Sequence, residues 1–198
     1  MRIRFDLKNG SLRNPLRLRT RGNPDVGQRR MIHKLLNPNT SAYRMLKEQV
    51  LGNKFPWFYY AGDDATPPYY GHTVLTRPGF DGMLMSTSSS EYLHHCNEVL
   101  SEIFKHNKIE VNVVHRINLN CTHWAAKNSP IHADHDFPHQ NLIVYLNEFD
   151  GGRTTVYKGD VSISHKPHED DIIMFSGLHN VVPPHPSYRR IVLVATFT

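Results

Sequence analysis

Fourteen of the 198 residues are histidines, and one of them stands in a pattern that suits metal binding. His132 and Asp134 lie two residues apart, shortly before the apolar run at 142–146. On an extended chain, side chains two residues apart point to the same side, so the imidazole and the carboxylate can reach one metal ion. The spacing alone is a weak signal, because a chain so rich in histidine contains such pairs by chance.

A third ligand has to come from another strand, and His179 is placed to supply it. It follows the apolar segment 172–175 and the turn at Gly177. Two histidines and one carboxylate on one face of an octahedron leave three coordination positions open, an arrangement used by non-haem Fe(II) oxygenases. The sequence therefore predicts a metal site made by His132, Asp134 and His179.

Arg190 is a second residue that calls for a chemical partner. It begins the last apolar segment, on the same side as Val192 and Val194. Burying a cation alone is expensive, and a guanidinium is well matched to a carboxylate. That carboxylate is either a bound ligand or an acid of the protein, such as Asp134 or Asp171, and the residues leave both open.

Short strands are the elements that must position these side chains. Apolar residues recur with a period of two over 111–119, and further strands are expected at 142–146, 153–157, 161–164, 172–175 and 190–197. Two amphipathic helices precede them, one from about residue 41 to 51 and one from about 91 to 107. Many short strands without helices between them favour a sandwich or jelly roll, with the helices against one outer face.

The charge divides the chain into two parts. Residues 1–34 carry ten Lys or Arg against two acidic residues, which gives +8, and the other 164 residues carry thirteen against sixteen, which gives −3. We predict a basic N-terminal arm at 1–34 and a single domain at 35–198, with a jelly-roll core at about 110–198. The arm either binds phosphate backbones or is a solvated tail, and its lack of interleaved aromatic residues favours the tail.

Composition and sequence also limit the cellular location that we expect for the protein. Two cysteines are too few for a disulfide framework, and the first residues offer no apolar segment of a secretory signal. The longest apolar run, at 191–197, falls far short of the roughly 20 residues that span a bilayer. We therefore expect a cytoplasmic protein without a membrane partner.

Taken in order, these motifs resemble the 2-oxoglutarate- and Fe(II)-dependent oxygenases, especially the branch similar to prolyl 4-hydroxylases and its phage-type members. The resemblance covers roughly 111–197. The His132-Ala133-Asp134 segment resembles the family's His-x-Asp motif, and His179 resembles its distal iron ligand. Arg190 resembles the basic residue that holds the far carboxylate of 2-oxoglutarate.

The strand at 143–147 looks like the family strand whose tyrosine helps to hold the co-substrate, and this tyrosine is Tyr145. Gly151 and Gly152 resemble the hairpin that follows. The tyrosine that some prolyl hydroxylases carry before the first iron ligand is not found, and Asn120 stands in that region as an alternative donor. The position two after Arg190, often a hydroxyl residue in relatives, is Val192. These departures weaken the case for a proline substrate more than the case for oxygenase chemistry.

The resemblance implies a double-stranded β-helix, which is a cupin-like jelly roll, and an enzyme that uses Fe(II), 2-oxoglutarate and O2, with ascorbate as an accessory reductant. Such an enzyme hydroxylates a substrate C–H bond and forms succinate and CO2. A peptide or protein substrate, such as a peptidyl proline, is favoured over a nucleic acid. A phage-encoded member would work in the host cytoplasm. The aromatic stretch at 55–60, with Tyr69 and Tyr70, is expected to border the substrate entrance.

Two other functions are compatible with parts of the sequence. One is a non-enzymatic β-sandwich that binds nucleic acid through the basic arm, with histidines that serve only structure or adventitious zinc. The other is a cupin-like metalloenzyme that does not use 2-oxoglutarate, which would leave Arg190 without a role.

Overall fold

The computed structural model describes residues 31–79 and 82–198, which form two helices and ten strands. The helices are α1 (Ser41–Leu51) and α2 (Leu93–Asn107). The strands are β1 (Ile32–Leu35), β2 (Phe58–Tyr60), β3 (Tyr69–Leu75), β4 (Val114–Thr122), β5 (Gln140–Tyr145), β6 (Thr154–Lys158), β7 (Val161–His165), β8 (Ile172–Phe175), β9 (His179–Val181) and β10 (Arg190–Phe197). The mainly β architecture with flanking helices is confirmed.

The strands form two antiparallel sheets. The larger has seven strands in the order β1-β8-β5-β10-β4-β3-β2, and the smaller has three in the order β7-β6-β9. Val156 of the small sheet packs with Tyr145 and Val192 of the large sheet. The two sheets therefore face each other and enclose an inner space.

Alternation along β10 separates the two faces of the large sheet. Its odd-numbered residues, 191–197, belong to the core that includes Leu46 of α1 and Leu100 of α2. Val192 and Val194 belong instead to the core between the sheets. Because successive side chains of a strand point to opposite faces, Arg190 also lies on the inner side. Each fully buried leucine or isoleucine stabilises the fold by about 1.5–3 kcal/mol. Packing against the helices therefore stabilises the outer face of the large sheet, and the inner face remains available to form a site.

The first helix is joined to the loop before β8 as well as to the sheet. Thr40 caps α1 by accepting a hydrogen bond from the backbone N–H of Tyr43 at 3.2 Å. Tyr43 and Lys47, one turn apart, both donate to the carboxylate of Asp170.

Of the helices in the described parts of the chain, none is long and apolar enough to cross a membrane.

The structure differs from the sequence prediction at two boundaries. Ile32–Leu35, whose first three residues fall inside the predicted arm, pair with β8 at the edge of the large sheet. The rest of the arm, residues 1–30, lies outside the described residues. β4 begins at Val114 rather than near 111, and β2 and β3 extend the large sheet beyond the predicted core at 110–198. An edge strand as short and polar as Ile-His-Lys-Leu gives little periodic signal.

Candidate metal centre and adjoining cavity

The three predicted metal ligands come together between the two sheets. One ligand atom from each of His132, Asp134 and His179 lies within 4.8 Å of the others, and in residues 31–79 and 82–198 no other group of three such side chains does so. The Nε2 atom of His179 is 3.6 Å from Oδ2 of Asp134. The centroids of the two imidazole rings are 4.5 Å apart.

Backbone pairing brings the two histidines side by side. His132 lies in the loop between β4 and β5, and His179 is the first residue of β9. Each donates its backbone N–H to the other's carbonyl oxygen, at 3.0 and 2.9 Å. This isolated bridge links residues 47 positions apart in the sequence, which no local pattern specifies.

Hydrogen bonds orient the imidazoles toward a common point. Nδ1 of His132 lies 2.9 Å from the carbonyl oxygen of Pro130, and Nδ1 of His179 lies 3.3 Å from that of Gly177. A carbonyl only accepts, so both Nδ1 atoms carry a proton and Nε2 is the nitrogen of each ring that is left for a metal. Metal-bound histidines are usually held in this way.

The protonation states also suit a divalent cation. Burial lowers the pKa of His179 despite the opposing effect of Asp134, so its imidazole is neutral near pH 7. Burial alone would raise the pKa of Asp134, but the Arg116 guanidinium and the neighbouring histidines outweigh burial and hold it below its usual value. The site therefore offers a neutral imidazole from His179 and an ionised carboxylate from Asp134.

A cavity of about 220 Å³ adjoins the three side chains. Its walls come from β4, from the loop after β4, from the start of β9 and from the inner side of β10. The polar side chains on its lining are those of Thr66, Tyr69, Arg116, Asn120, Thr122, His123, Ser129, His132, Asp134, His179 and Arg190. The proposed metal ligands and Arg190 thus line the same cavity.

Arg190 is a buried cation without an acidic partner in the described structure. Only 2% of its surface is exposed. Its Nη2 donates to Oγ1 of Thr154 at 3.3 Å, whereas its Nε has no partner. The two acids named as alternatives are engaged elsewhere, since Asp134 pairs with Arg116 and Asp171 lies beside His165 and Lys34. A bound carboxylate is the kind of group that this guanidinium lacks.

The two other predicted co-substrate residues take different places. Asn120 lines the cavity and accepts a hydrogen bond from the amide of Asn118 at 3.2 Å. Tyr145 is fully buried and is not part of the cavity wall. Its hydroxyl lies 2.9 Å from Oγ1 of Thr154, and its ring centre is 5.3 Å from Cζ of Arg190. Tyr145 is thus placed to act on Arg190 and Thr154 rather than on the cavity directly.

Two residues of the site were missed in the sequence. Arg116 pairs with Asp134, and Thr154 bridges Tyr145 and Arg190. Arg116 could have been found in the sequence, because it lies two residues before Asn118 and therefore on the same side of the predicted strand. Thr154 offered none, because its two partners are distant in sequence.

The aromatic stretch divides between core and surface. Phe55 is buried, and Trp57 packs against the core beneath the helices. Tyr69 lines the cavity and stacks on Tyr60, with ring centres 4.9 Å apart. Tyr59 is 61% exposed on β2, the last strand of the large sheet. Of this aromatic stretch, Tyr69 therefore lines the cavity and Tyr60 packs directly against Tyr69.

The placement of Arg190 depends on a glycine that follows Phe149. Gly152 has a φ of +58°, and a Cβ there would lie 2.4 Å from the Phe149 ring and 3.1 Å from Cδ of Arg190. Gly159 has the same φ but open space around it. We expect Gly152→Ala to lower the free energy of unfolding by about 1–3 kcal/mol more than Gly159→Ala, because only the first adds overpacking to backbone strain. Urea unfolding of both variants measures this, and equal losses would contradict the role assigned to Gly152.

Comparisons with known proteins establish the fold. No family model and no curated protein matches the sequence. An oxidoreductase of the 2OG-Fe(II) oxygenase family from Burkholderia pseudomallei is 16% identical, with a TM-score of 0.60 over 78% of this chain and 77% of that one. A prolyl hydroxylase from Trichoplax adhaerens, solved with a hypoxia inducible factor peptide, is 14% identical, with a TM-score of 0.59 over 87% and 86%.

A third solved structure is the epimerase SnoN in complex with Fe3+, alpha ketoglutarate and nogalamycin RO. It is 10% identical, with a TM-score of 0.57 over 86% of this chain and 79% of that one. These likenesses show that the chain has the jelly-roll double-stranded β-helix of the 2-oxoglutarate/Fe(II) oxygenases, as the sequence predicted. The phage-type assignment stays a prediction.

Proposed function

We propose that this protein is a 2-oxoglutarate- and Fe(II)-dependent dioxygenase that hydroxylates a substrate C–H bond and forms succinate and CO2. The observation that carries the proposal is the pairing of two features in one cavity. A His-Asp-His group offers three metal ligands, and Arg190 offers a buried positive charge that the described residues leave unpaired. Together they suit a metal and a dicarboxylate bound side by side.

The side chains divide into two tasks. His132, Asp134 and His179 hold Fe(II), through the two Nε2 atoms and a carboxylate oxygen. Arg190, with Thr154 and Tyr145 behind it, holds the far carboxylate of 2-oxoglutarate, and Asn120 donates from β4, the strand that pairs with β10. The metal and the co-substrate supply the oxidising chemistry when they are bound. The chain binds and orients them and keeps water out of the site between the sheets.

The buried guanidinium favours this function over the alternatives. A cupin-like metalloenzyme without 2-oxoglutarate would explain the three ligands but would give Arg190 no anion. A β-sandwich that binds nucleic acid through residues 1–34 would need neither the ligand group nor the cavity. Most of that arm lies outside the described residues, so its binding partner is a separate question.

For the prime substrate we favour a peptide or protein, with a peptidyl proline as the first candidate. Pro67, Pro68 and Tyr69 form part of the lining of the cavity. Beside it, β2 is the outermost strand of its sheet and carries exposed aromatic side chains. An extended peptide can add to such an edge or lie on such an aromatic surface. One structural neighbour was solved with a peptide and another with nogalamycin RO, so the fold accommodates both kinds of ligand.

The proposal is tested by supplying the two small molecules and following the product. Full-length protein loaded with Fe(II) under anaerobic conditions is expected to bind 2-oxoglutarate by calorimetry. On admission of air it is expected to form succinate slowly without a prime substrate, as measured by NMR. Removal of the metal with EDTA should abolish succinate formation, and added Fe(II) should restore it. Metal-loaded protein that neither binds nor consumes 2-oxoglutarate would refute the proposal.

A further inference from the structure

We propose that Arg116, assisted by Thr196, is a positioning residue that fixes the Asp134 carboxylate so that only one of its oxygens faces the metal. The inference rests on the proposed function, because it takes Asp134 to be a metal ligand. It predicts that variants which keep all three metal ligands but alter Arg116 or Thr196 will change in metal affinity, and that loss of Arg116 will also change metal coordination.

The two oxygens of Asp134 have different surroundings. Nη1 of Arg116 donates to Oδ1. The other oxygen, Oδ2, faces the histidines and lies 3.6 Å from Nε2 of His179. A carboxylate with both oxygens free can turn about its last bond and bind a metal through one oxygen or both. The guanidinium occupies one oxygen and thereby selects the other for the metal.

Asp134 needs such support because of where it lies in the chain. It belongs to the loop of residues 123–139, which has no regular element apart from the single bridge at His132. Two neighbouring strands hold consecutive residues of this loop. Arg116 of β4 holds Asp134, and Oγ1 of Thr196 on β10 lies 2.7 Å from Nε2 of His135. Arg116 and Thr196 are directly opposite each other in the β4–β10 pairing, so the two contacts act as one clamp.

Two effects of Arg116 on metal binding oppose each other. A guanidinium beside the site repels a divalent cation, so its removal would tighten metal binding if charge alone mattered. A fixed ligand orientation strengthens binding, and loss of an outer partner of a metal ligand typically costs 10–100-fold in affinity. The Arg116 side chain is 20% exposed and that of Asp134 only 6%, so the contact is well shielded from water. We expect the orienting effect to dominate.

The experiment compares Mn(II) affinity, followed by electron paramagnetic resonance, in full-length wild type, Arg116→Met and Arg116→Lys. Both variants should bind Mn(II) about 10–100-fold more weakly. Methionine cannot donate to Oδ1 of Asp134, and lysine keeps the charge but not the planar guanidinium. Arg44→Met, which removes an exposed arginine of α1, is the matched control and should bind like the wild type. The visible spectrum of bound Co(II) should change in both Arg116 variants and not in the control, because the coordination of Asp134 changes.

The outcomes separate this inference from the proposed function. Wild-type or tighter affinity in Arg116→Met, or full rescue by Arg116→Lys, would overturn the positioning role alone. A wild-type protein that binds no Mn(II) would overturn the proposed function and this inference with it. If the Arg116 variants do not fold, Thr196→Val decides the matter. It removes one hydroxyl and should weaken Mn(II) binding by up to about 10-fold, and unchanged affinity would refute the clamp.

Discussion

His179→Ala is expected to abolish divalent-metal binding, and with it all 2-oxoglutarate turnover, while the protein stays folded. The imidazole supplies one of three ligand atoms that lie within 4.8 Å of one another. Loss of a direct ligand should reduce metal affinity by more than the roughly 100-fold seen for outer partners. Mn(II) titration and succinate formation measure the loss, and thermal unfolding without metal checks the fold. His132→Ala and Asp134→Ala should behave in the same way.

His185→Ala is the matched control for this prediction. His185 is the next histidine along the chain and lies only five residues before Arg190, so sequence alone makes it a rival to His179. In the structure it is exposed, packs beside Tyr188 and does not line the cavity. The His185 variant should keep wild-type metal affinity and turnover. A dead His185→Ala protein beside an active His179→Ala protein would overturn the assignment of the distal ligand.

Short apolar runs between turn residues, together with one period-two segment, were sufficient to find most of the strands. β5, β8 and β10 were predicted within two residues of their observed ends, because each is a continuous or alternating apolar run between Gly, Pro or Asp residues. β1 was missed because its pairing with β8 joins segments 140 residues apart and its own sequence is half polar. Strand pairing of that range depends on the whole fold rather than on local preference.

The candidate site was predictable to the extent that its residues follow short spacing rules. The His132–Asp134 pair follows from the extended chain, and His179 was found from the apolar run at 172–175 and the turn at Gly177 that precede it. The contacts that orient these residues were not predictable. Arg116 reaches Asp134, and Thr154 reaches Tyr145 and Arg190, across sheet pairings that sequence does not reveal. Tyr145 was expected to contact the co-substrate, but it is buried behind Arg190. Alternation along a strand shows which side chains point inward, and it does not show whether an inward side chain lies in the core or on a cavity wall.

Arg190→Met is the second variant with a large expected effect, and it should weaken co-substrate binding without destabilising the free protein. The affinity for 2-oxoglutarate should fall by about 30-fold or more, since truncation of one partner of a buried charge pair costs about 2–5 kcal/mol. The stability of the ligand-free protein should stay unchanged or rise. Arg190 is only 2% exposed, has no acidic partner in the described structure and has an unpaired Nε, so the variant removes a buried charge that the protein alone does not compensate.

Calorimetry with the Mn(II)-loaded protein and urea unfolding of the metal-free protein measure the two quantities separately. Methionine fills much of the volume of the arginine stem, so a cavity contributes little to the comparison. Gly152→Ala, which crowds Cδ of Arg190 without removing its charge, should weaken 2-oxoglutarate binding less than Arg190→Met. If Arg190→Met instead destabilised the free protein and left 2-oxoglutarate binding unchanged, the guanidinium would be a structural group held by Thr154 and Tyr145. The cavity would then need another cation for its carboxylate, and Arg116 is the other arginine on its lining.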